Sequence, residues 1–263
     1  MLAHHVTFRL RADRWIARTP KELRLLSTSL VALGGEGLLA FRVVDTHLHA
    51  IVEHDRAASG RFAWRVENSL RRSLRLAAPF DPARHRPIES FGHLRSALAY
   101  LFNQTAHHRA AFDPEHEGSS LPDTLGLRVL CPDFAARITA ALPRADLTSF
   151  RRFLQVPPDL VYRRDLPEDA HPVEVLRAAE AALGVIATGR DPAAVQARRA
   201  VIALLPSHTA LAESLGLHRR SVQRAHPPRP PVLLATLRQL HLRRALETRR
   251  ATDEPSAVAR DES

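Results

Sequence analysis

The chain has 263 residues, 45% of them hydrophobic, enough for one large domain or two modest ones with a sizeable core. Lysine and arginine outnumber aspartate and glutamate 38 to 28, a net charge of +10, and Lys21 is the only lysine. Such a balance favours a polyanionic partner, nucleic acid above all, while the lone Cys131 excludes both a disulfide framework and a cysteine zinc site.

No segment reaches the roughly 18 apolar residues of a membrane span, and the N-terminus has no long apolar run, so a cytoplasmic protein without a membrane partner is expected. "HHVTFRL" alternates apolar and polar residues from His5 to Leu10, the pattern of a half-buried strand. Thr19-Pro20 is a cap and first-turn signal for the leucine-spaced helix "KELRLLSTSLVAL", which Gly34-Gly35 stops. "LLAFRVV" and "HLHAIVEH", joined by Asp45-Thr46, read as a tight hairpin. An amphipathic helix, "RFAWRVENSLRRSLRLA", carries Arg65, Arg71, Arg72 and Arg75 on a basic side. A short edge strand is expected near Ile88 beyond the prolines at 79–87, and "HLRSALAYLFNQTAHHRAAF" is helical again. The order β-α-β-β-α-β-α matches an α+β, ferredoxin-like split βαβ antiparallel sheet with helices on one face.

Composition changes after Phe112. "DPEHEGSSLPDTLG" is turn-rich, and proline-broken short helices follow as a connector over 131–170. From Pro172 the chain is helical to about Glu247, giving an all-α region over 171–248 and a polar tail, 249–263, expected to be disordered. Within this region "ALAESLGLHRRSVQRA" reads as a helix-turn-helix, with Gly216 in the turn and Arg219, Arg220, Gln223 and Arg224 toward DNA; an ordinary helical hairpin is the alternative.

His47 and His49 lie two apart on a strand and therefore share a face. With fifteen histidines in the chain, about one His-x-His arises by composition alone, so the pair needs a third donor to suggest a metal. The following helix offers one. Tyr100, one of only two tyrosines, is followed by Gln104 four residues on, on the same helical face; Asn103 is rotated away by about 60°. A tyrosine in an apolar helix is also an ordinary core residue whose hydroxyl finds a partner.

Residues 1–130 resemble the single-tyrosine HUH transposases, in particular the REP-associated tyrosine transposases and small insertion-sequence enzymes. "HHVTFR" resembles the opening strand of that family, "VVDTHLHAIVE" its histidine–hydrophobe–histidine strand, "LAYLFNQ" its catalytic helix and "SSLPDTLGLRV" the segment after it. Asp45-Thr46 replaces the common Pro-Asn, and Gln104-Thr105 stands where REP-associated members usually have Asn-Pro; glutamine there is typical of the insertion-sequence branch. The resemblance implies a nuclease domain over 1–130 with Tyr100 as nucleophile and His47, His49 and Gln104 holding Mg²⁺ or Mn²⁺. It implies single-stranded or hairpin DNA as partner, a 5′-phosphotyrosine intermediate, and, as in some relatives, a homodimer. A non-catalytic helix-turn-helix regulator derived from such an enzyme is the rival expectation. A replication initiator of the same fold lacks its usual accompanying domains here, and a metal-dependent hydrolase lacks carboxylates for a general base.

Overall fold

The structure is a computed structural model describing residues 1–11, 14–104, 115–144, 146–187, 190–205 and 226–253. The chain divides into two compact units, residues 1–125 with 130–153, and 126–129 with 154–263. The connector expected over 131–170 is thus shared between them.

The first unit is α+β. Its elements are β1 (Ala3–Arg9), α1 (Pro20–Gly34), β2 (Leu38–Val44), β3 (His47–Val52), α2 (Arg56–Ser73), β4 (Arg84–Ile88), α3 (Phe91–Phe102), α4 (Leu121–Thr124) and α5 (Phe134–Ala141). The four strands form one antiparallel sheet in the order β2-β3-β1-β4. The Asp45-Thr46 connection closes the hairpin, Val44 facing His47, with Asp45 at a positive φ of 36°. Two-residue hairpins require such backbone, and aspartate tolerates it better than most residues. At α1, Thr19 and Glu22 form a reciprocal capping box with Pro20 in the first turn. α2 begins five residues before its amphipathic pattern, because the Asp55 carboxylate accepts the Ala58 N–H at 2.7 Å and starts the helix through "RAASG".

Side-chain alternation gives the sheet two different faces. Val6, Phe8, Phe41, Val43, Leu48, Ala50 and Val52 point into one core with Leu26 and Leu30 of α1 and Phe62, Ala63, Val66 and Leu70 of α2. α3 instead packs on β2 and β3. Helices therefore flank more than the single face expected from sequence, since only α1 and α2 share the core just described.

Residues 115–120, expected to be a turn-rich connector, run along the free edge of β2. Val43 N–H donates to Gly118 O at 2.8 Å and Ser120 N–H to Phe41 O at 3.0 Å, while the Ser120 hydroxyl accepts the Phe41 N–H at 2.9 Å. His116 reaches Val43 O at 2.9 Å. The exposed row of backbone groups on an edge strand is thereby satisfied. Gly118 is required for the approach, because a Cβ there would sit 2.8 Å from Leu23 and 3.0 Å from Val43. Cys131 and Phe134 complete the same core.

The second unit contains α6 (Pro158–Val161), α7 (Pro172–Leu183), α8 (Pro192–Leu204) and α9 (Pro230–Asp253). Ala178, Ala179, Ala197 and Ala200 let α7 and α8 approach closely around Val175, Val201, Val232 and Leu240. His171 and Asp191 cap α7 and α8, and Gly184 ends α7 in the left-handed conformation. Arg244 of α9 bridges Asp169 at 2.7 Å and Glu174 at 2.8 Å. α9 continues into the first residues of the expected tail, through Asp253. The expected helix-turn-helix, with Arg219, Arg220, Gln223 and Arg224, lies outside the described residues, as do most of the tail and His107 and His108. Among the described residues no helix is long and apolar enough to cross a membrane.

Ser120→Ala leaves the buried Phe41 N–H without its acceptor and is expected to cost about 1–3 kcal/mol in urea unfolding. Thr28→Ala, whose exposed hydroxyl only bonds back to Arg24 O, is expected to change stability by less than about 0.5 kcal/mol.

Candidate functional site

The sheet face turned away from the α1–α2 core carries the histidine pair. Register places Arg9 opposite His47 and Thr7 opposite His49 on one side, and Val44 and Arg42 opposite them on the other. His47 is half-buried and His49 buried, their rings nearly parallel with centroids 6.1 Å apart. Each is held through Nδ1. Thr46 Oγ1 lies 2.8 Å from that atom of His47, and His5 Nε2 and Thr7 Oγ1 lie 3.1 and 3.4 Å from that of His49. With Nδ1 engaged, the orientation of each ring is set by its neighbours.

Tyr100 comes to this face from α3. Its ring centroid is 6.0 Å from that of His49 and 6.1 Å from that of His5, in edge-on arrangements, and its side is open to solvent with 41% exposure. It is therefore not the buried core tyrosine that an apolar helix would ordinarily hold.

Gln104 is placed differently from the continuous helix read in the sequence. α3 ends at Phe102 with Asn103 as its C-cap, and Gln104 follows beyond the cap, fully buried. Its amide Nε2 donates to the Tyr100 carbonyl at 3.2 Å, which holds the residue against the turn that bears the tyrosine. Its Oε1 is buried with no hydrogen-bond partner among the described residues. An orphaned amide oxygen costs on the order of 1–3 kcal/mol and is an acceptor whose lone pairs are available to a hydrogen-bond donor or a cation. Among the described residues no group of three histidine, cysteine or carboxylate side chains could hold a metal ion, so a cation here requires an oxygen donor of another kind. Two imidazoles and an amide oxygen form a borderline-to-hard donor set that fits Mg²⁺ or Mn²⁺.

Two residues of the site were not singled out in the sequence. His5 is half-buried beneath Tyr100 and beside His49. Burial first, then the charge of Arg86 and the neighbouring His93, lower its pKa from 6.5 to about 4. Its partner in the sequence, His4, faces the other way, bonding His54 O at 2.9 Å. The signal was the alternation of β1 itself, which sends His4 and His5 to opposite faces. Arg42 is buried, and its guanidinium donates to the Phe102 carbonyl at 3.3 Å. It supplies positive charge at the end of α3, whose last turn has no basic residue.

Arg65, Arg71, Arg72 and Arg75 are exposed on α2 or just past it, with Trp64 beside them at 67% exposure. α2 packs on the sheet face opposite the histidines. The structure therefore does not bring these arginines together with Tyr100.

Comparison with family models, with curated proteins and with solved structures gave no match.

In metal-free protein, His5 is expected to stay neutral until about pH 4. The unfolded chain takes up this proton near 6.5, so between these values it binds more protons than the folded state. The contribution of His5 to stability is then complete above about 6.5 and falls as pH drops toward 4. An imidazole proton titration by NMR should show one midpoint near 4 that disappears in His5→Gln, and urea unfolding should lose less stability between neutral and acid pH in that variant. A midpoint near 6.5 would contradict the buried placement.

Proposed function

We propose that this protein is a metal-dependent DNA-strand transferase, a single-tyrosine HUH transposase that nicks and rejoins single-stranded DNA through a 5′-phosphotyrosine intermediate. The observation that carries the reading is the meeting of an exposed Tyr100 with His49 on one sheet face, with Gln104 folded back onto the turn of Tyr100 and its Oε1 unpartnered among the described residues. The strand order β2-β3-β1-β4 supports the ferredoxin-like split βαβ expected from the motif order. Fold alone does not assign chemistry, and the weight rests on the side chains.

His47, His49 and Gln104 would hold the cation, the histidines through Nε2 because Nδ1 is engaged in both. When bound, Mg²⁺ or Mn²⁺ supplies charge to polarise the scissile phosphate. The Tyr100 oxygen attacks phosphorus in line, its hydroxyl proton leaving to the solvent that already reaches the ring. The bond from phosphorus to the 3′ oxygen breaks, and that oxygen takes up a proton to leave as a free 3′-hydroxyl. A second strand's 3′-hydroxyl reverses the step, restoring Tyr100 and joining new ends, with the covalent bond conserving the energy. Arg42 positions the catalytic helix by holding its last turn. The exposed basic side of α2, with Arg65, Arg71, Arg72 and Arg75, would grip a hairpin away from the cut. Residues 210–225, read as a helix-turn-helix with Arg219, Arg220, Gln223 and Arg224, would bind duplex DNA. The reading places the protein in the cytoplasm.

The test is a covalent-adduct assay on labelled single-stranded hairpin DNA with Mn²⁺. Wild type is expected to form a protein–DNA adduct that EDTA prevents, and Tyr100→Phe to reduce it by at least about 1,000-fold. His49→Ala and Gln104→Ala should weaken Mn²⁺ binding in calorimetry as well as adduct yield, by about 10- to 100-fold. Tight DNA binding without any adduct would replace this reading with that of a non-catalytic regulator.

A further inference from the structure

The register of the edge strand places a second set of cations on the tyrosine's side of the sheet. Arg84 pairs with Thr7 and Arg86 with His5, so both arginines share the face of His5, Thr7, His47 and His49. The residue between them confirms the direction, since His85 points to the core side and its Nδ1 lies 2.8 Å from Ser59 Oγ of α2. Both arginines are exposed, and among the described residues neither has a carboxylate partner. Arg9, also exposed, stands on the same face opposite His47. α3 covers β2 and β3, and the neighbouring β1–β4 half of the face presents half-buried His5 and Thr7 between these guanidinium groups.

The arrangement has a chemical meaning. Edge strands often carry charged residues to prevent pairing with other chains. That purpose is served by a charge on either face and already has Pro87 in this strand, whereas Arg84 and Arg86 both point to the side of Tyr100. Alternate residues on one strand face stand roughly 6–7 Å apart, close to the spacing of successive phosphates on an extended single strand. The arginines of α2 cannot serve the same phosphates, because they leave the opposite side of the sheet.

We propose that Arg84 and Arg86, with Arg9, form the track that holds the phosphate backbone of single-stranded DNA where it passes from β4 across β1 to Tyr100. This deepens the function proposed above and rests on it. The track reads charge and spacing and not base sequence, so recognition of sequence or hairpin shape falls to other surfaces. It divides the two basic surfaces of this unit by substrate: the β4–β1 strip for the unpaired strand, α2 for the hairpin.

The experiment is fluorescence anisotropy on the full chain, in EDTA so that the proposed cleavage does not proceed, with labelled oligothymidylate of about a dozen nucleotides as probe. Arg84→Ala/Arg86→Ala is expected to lower affinity about 10-fold or more and to flatten the dependence of log K on log salt by about 1.4, from about 0.7 for each single-strand phosphate contact. Arg84→Lys/Arg86→Lys should keep most of the affinity, and Arg71→Ala/Arg72→Ala should leave this hairpin-free probe unaffected. The substituted positions are exposed, and matching thermal melts would establish that the variants fold. If wild type binds the probe and the β4 variant binds it equally well, the track is overturned and the strand-transfer reading stands. If wild type binds no single-stranded DNA at any salt, the strand-transfer reading itself fails, and the track with it.

Discussion

Leu48 of β3 pairs with Phe8 on one side and Val43 on the other, and the next residue, His49, pairs with Thr7 and Arg42. Because strand side chains alternate, these two consecutive rows face opposite sides of the sheet. One enters the apolar core beneath α1 and α2; the other carries the candidate site. A slip of one residue in either pairing would drive two imidazoles into the core and expose Leu48, Ala50 and Val52. The apolar row thus enforces the register of the polar row, and the driving force that folds the sheet also aligns the site. The two-residue hairpin at Asp45-Thr46 contributes by leaving no slack between β2 and β3, and Thr46 then meets His47 directly.

A sheet in register does not by itself bring Tyr100 to the histidines. That depends on how α3 is tied down, and its C-terminal end is tied to β2. Arg42, buried beside His49 in the ladder, reaches the Phe102 carbonyl, while Phe102 and Phe150 stack edge to face with centroids 5.4 Å apart. β2 is itself steadied from outside by residues 116–120, whose hydrogen bonds to Phe41 and Val43 cover the strand edge. Arg24 of α1 holds Glu117 at 2.9 Å, so this edge segment is also anchored to the helix layer. A chain of short polar contacts therefore runs from α1 through the edge segment and β2 to the helix that carries the tyrosine. Each contact is modest alone, and together they tie the C-terminal end of α3 to the sheet that carries His49.

Much of this was legible in the sequence because it follows local rules. The alternation of "HHVTFRL", the cap at Thr19-Pro20, the tight Asp45-Thr46 connection and the edge-strand signal at Ile88 all depend on neighbours within a few residues. The start of α2 was missed because "RAASG" has little hydrophobic pattern, and the helix depends there on the Asp55 cap. Residues 115–120 read as a turn because their partners lie about 75 residues away on β2, a pairing no local pattern reports. The membership of Cys131 and Phe134 in the sheet's core is likewise a tertiary matter. In the site, spacing put His47 and His49 on one strand face and Gln104 on the helical face of Tyr100, while the link between the two elements came from the resemblance to the HUH transposases. His5 and Arg42 emerged only when strand pairing put β1 and β2 on either side of β3. The arginines of α2 show the converse limit: a basic helix face is visible in sequence, but which side of the sheet it leaves is not.

The separation of faces also separates stability from chemistry. The core side is dry and closely packed, and changes there are costly because they open cavities or strand polar groups. On the other side, Tyr100, Arg84 and Arg86 are exposed, so their side chains contribute little buried area. Gln104 is the exception. It is fully buried, yet one end of its amide donates to the Tyr100 carbonyl and the other has no partner among the described residues. A buried side chain chosen for packing alone would be apolar and would avoid that penalty. The unfavourable oxygen is sensible if a ligand repays it, because the desolvation already incurred then favours whatever cation arrives. On the proposed reading, the same residue would weaken the protein alone and strengthen it when loaded. Gln239 of the second unit also has a buried Oε1 with no partner among the described residues, so the orphaned oxygen alone does not mark a ligand; what distinguishes Gln104 is its bond to the turn that bears Tyr100.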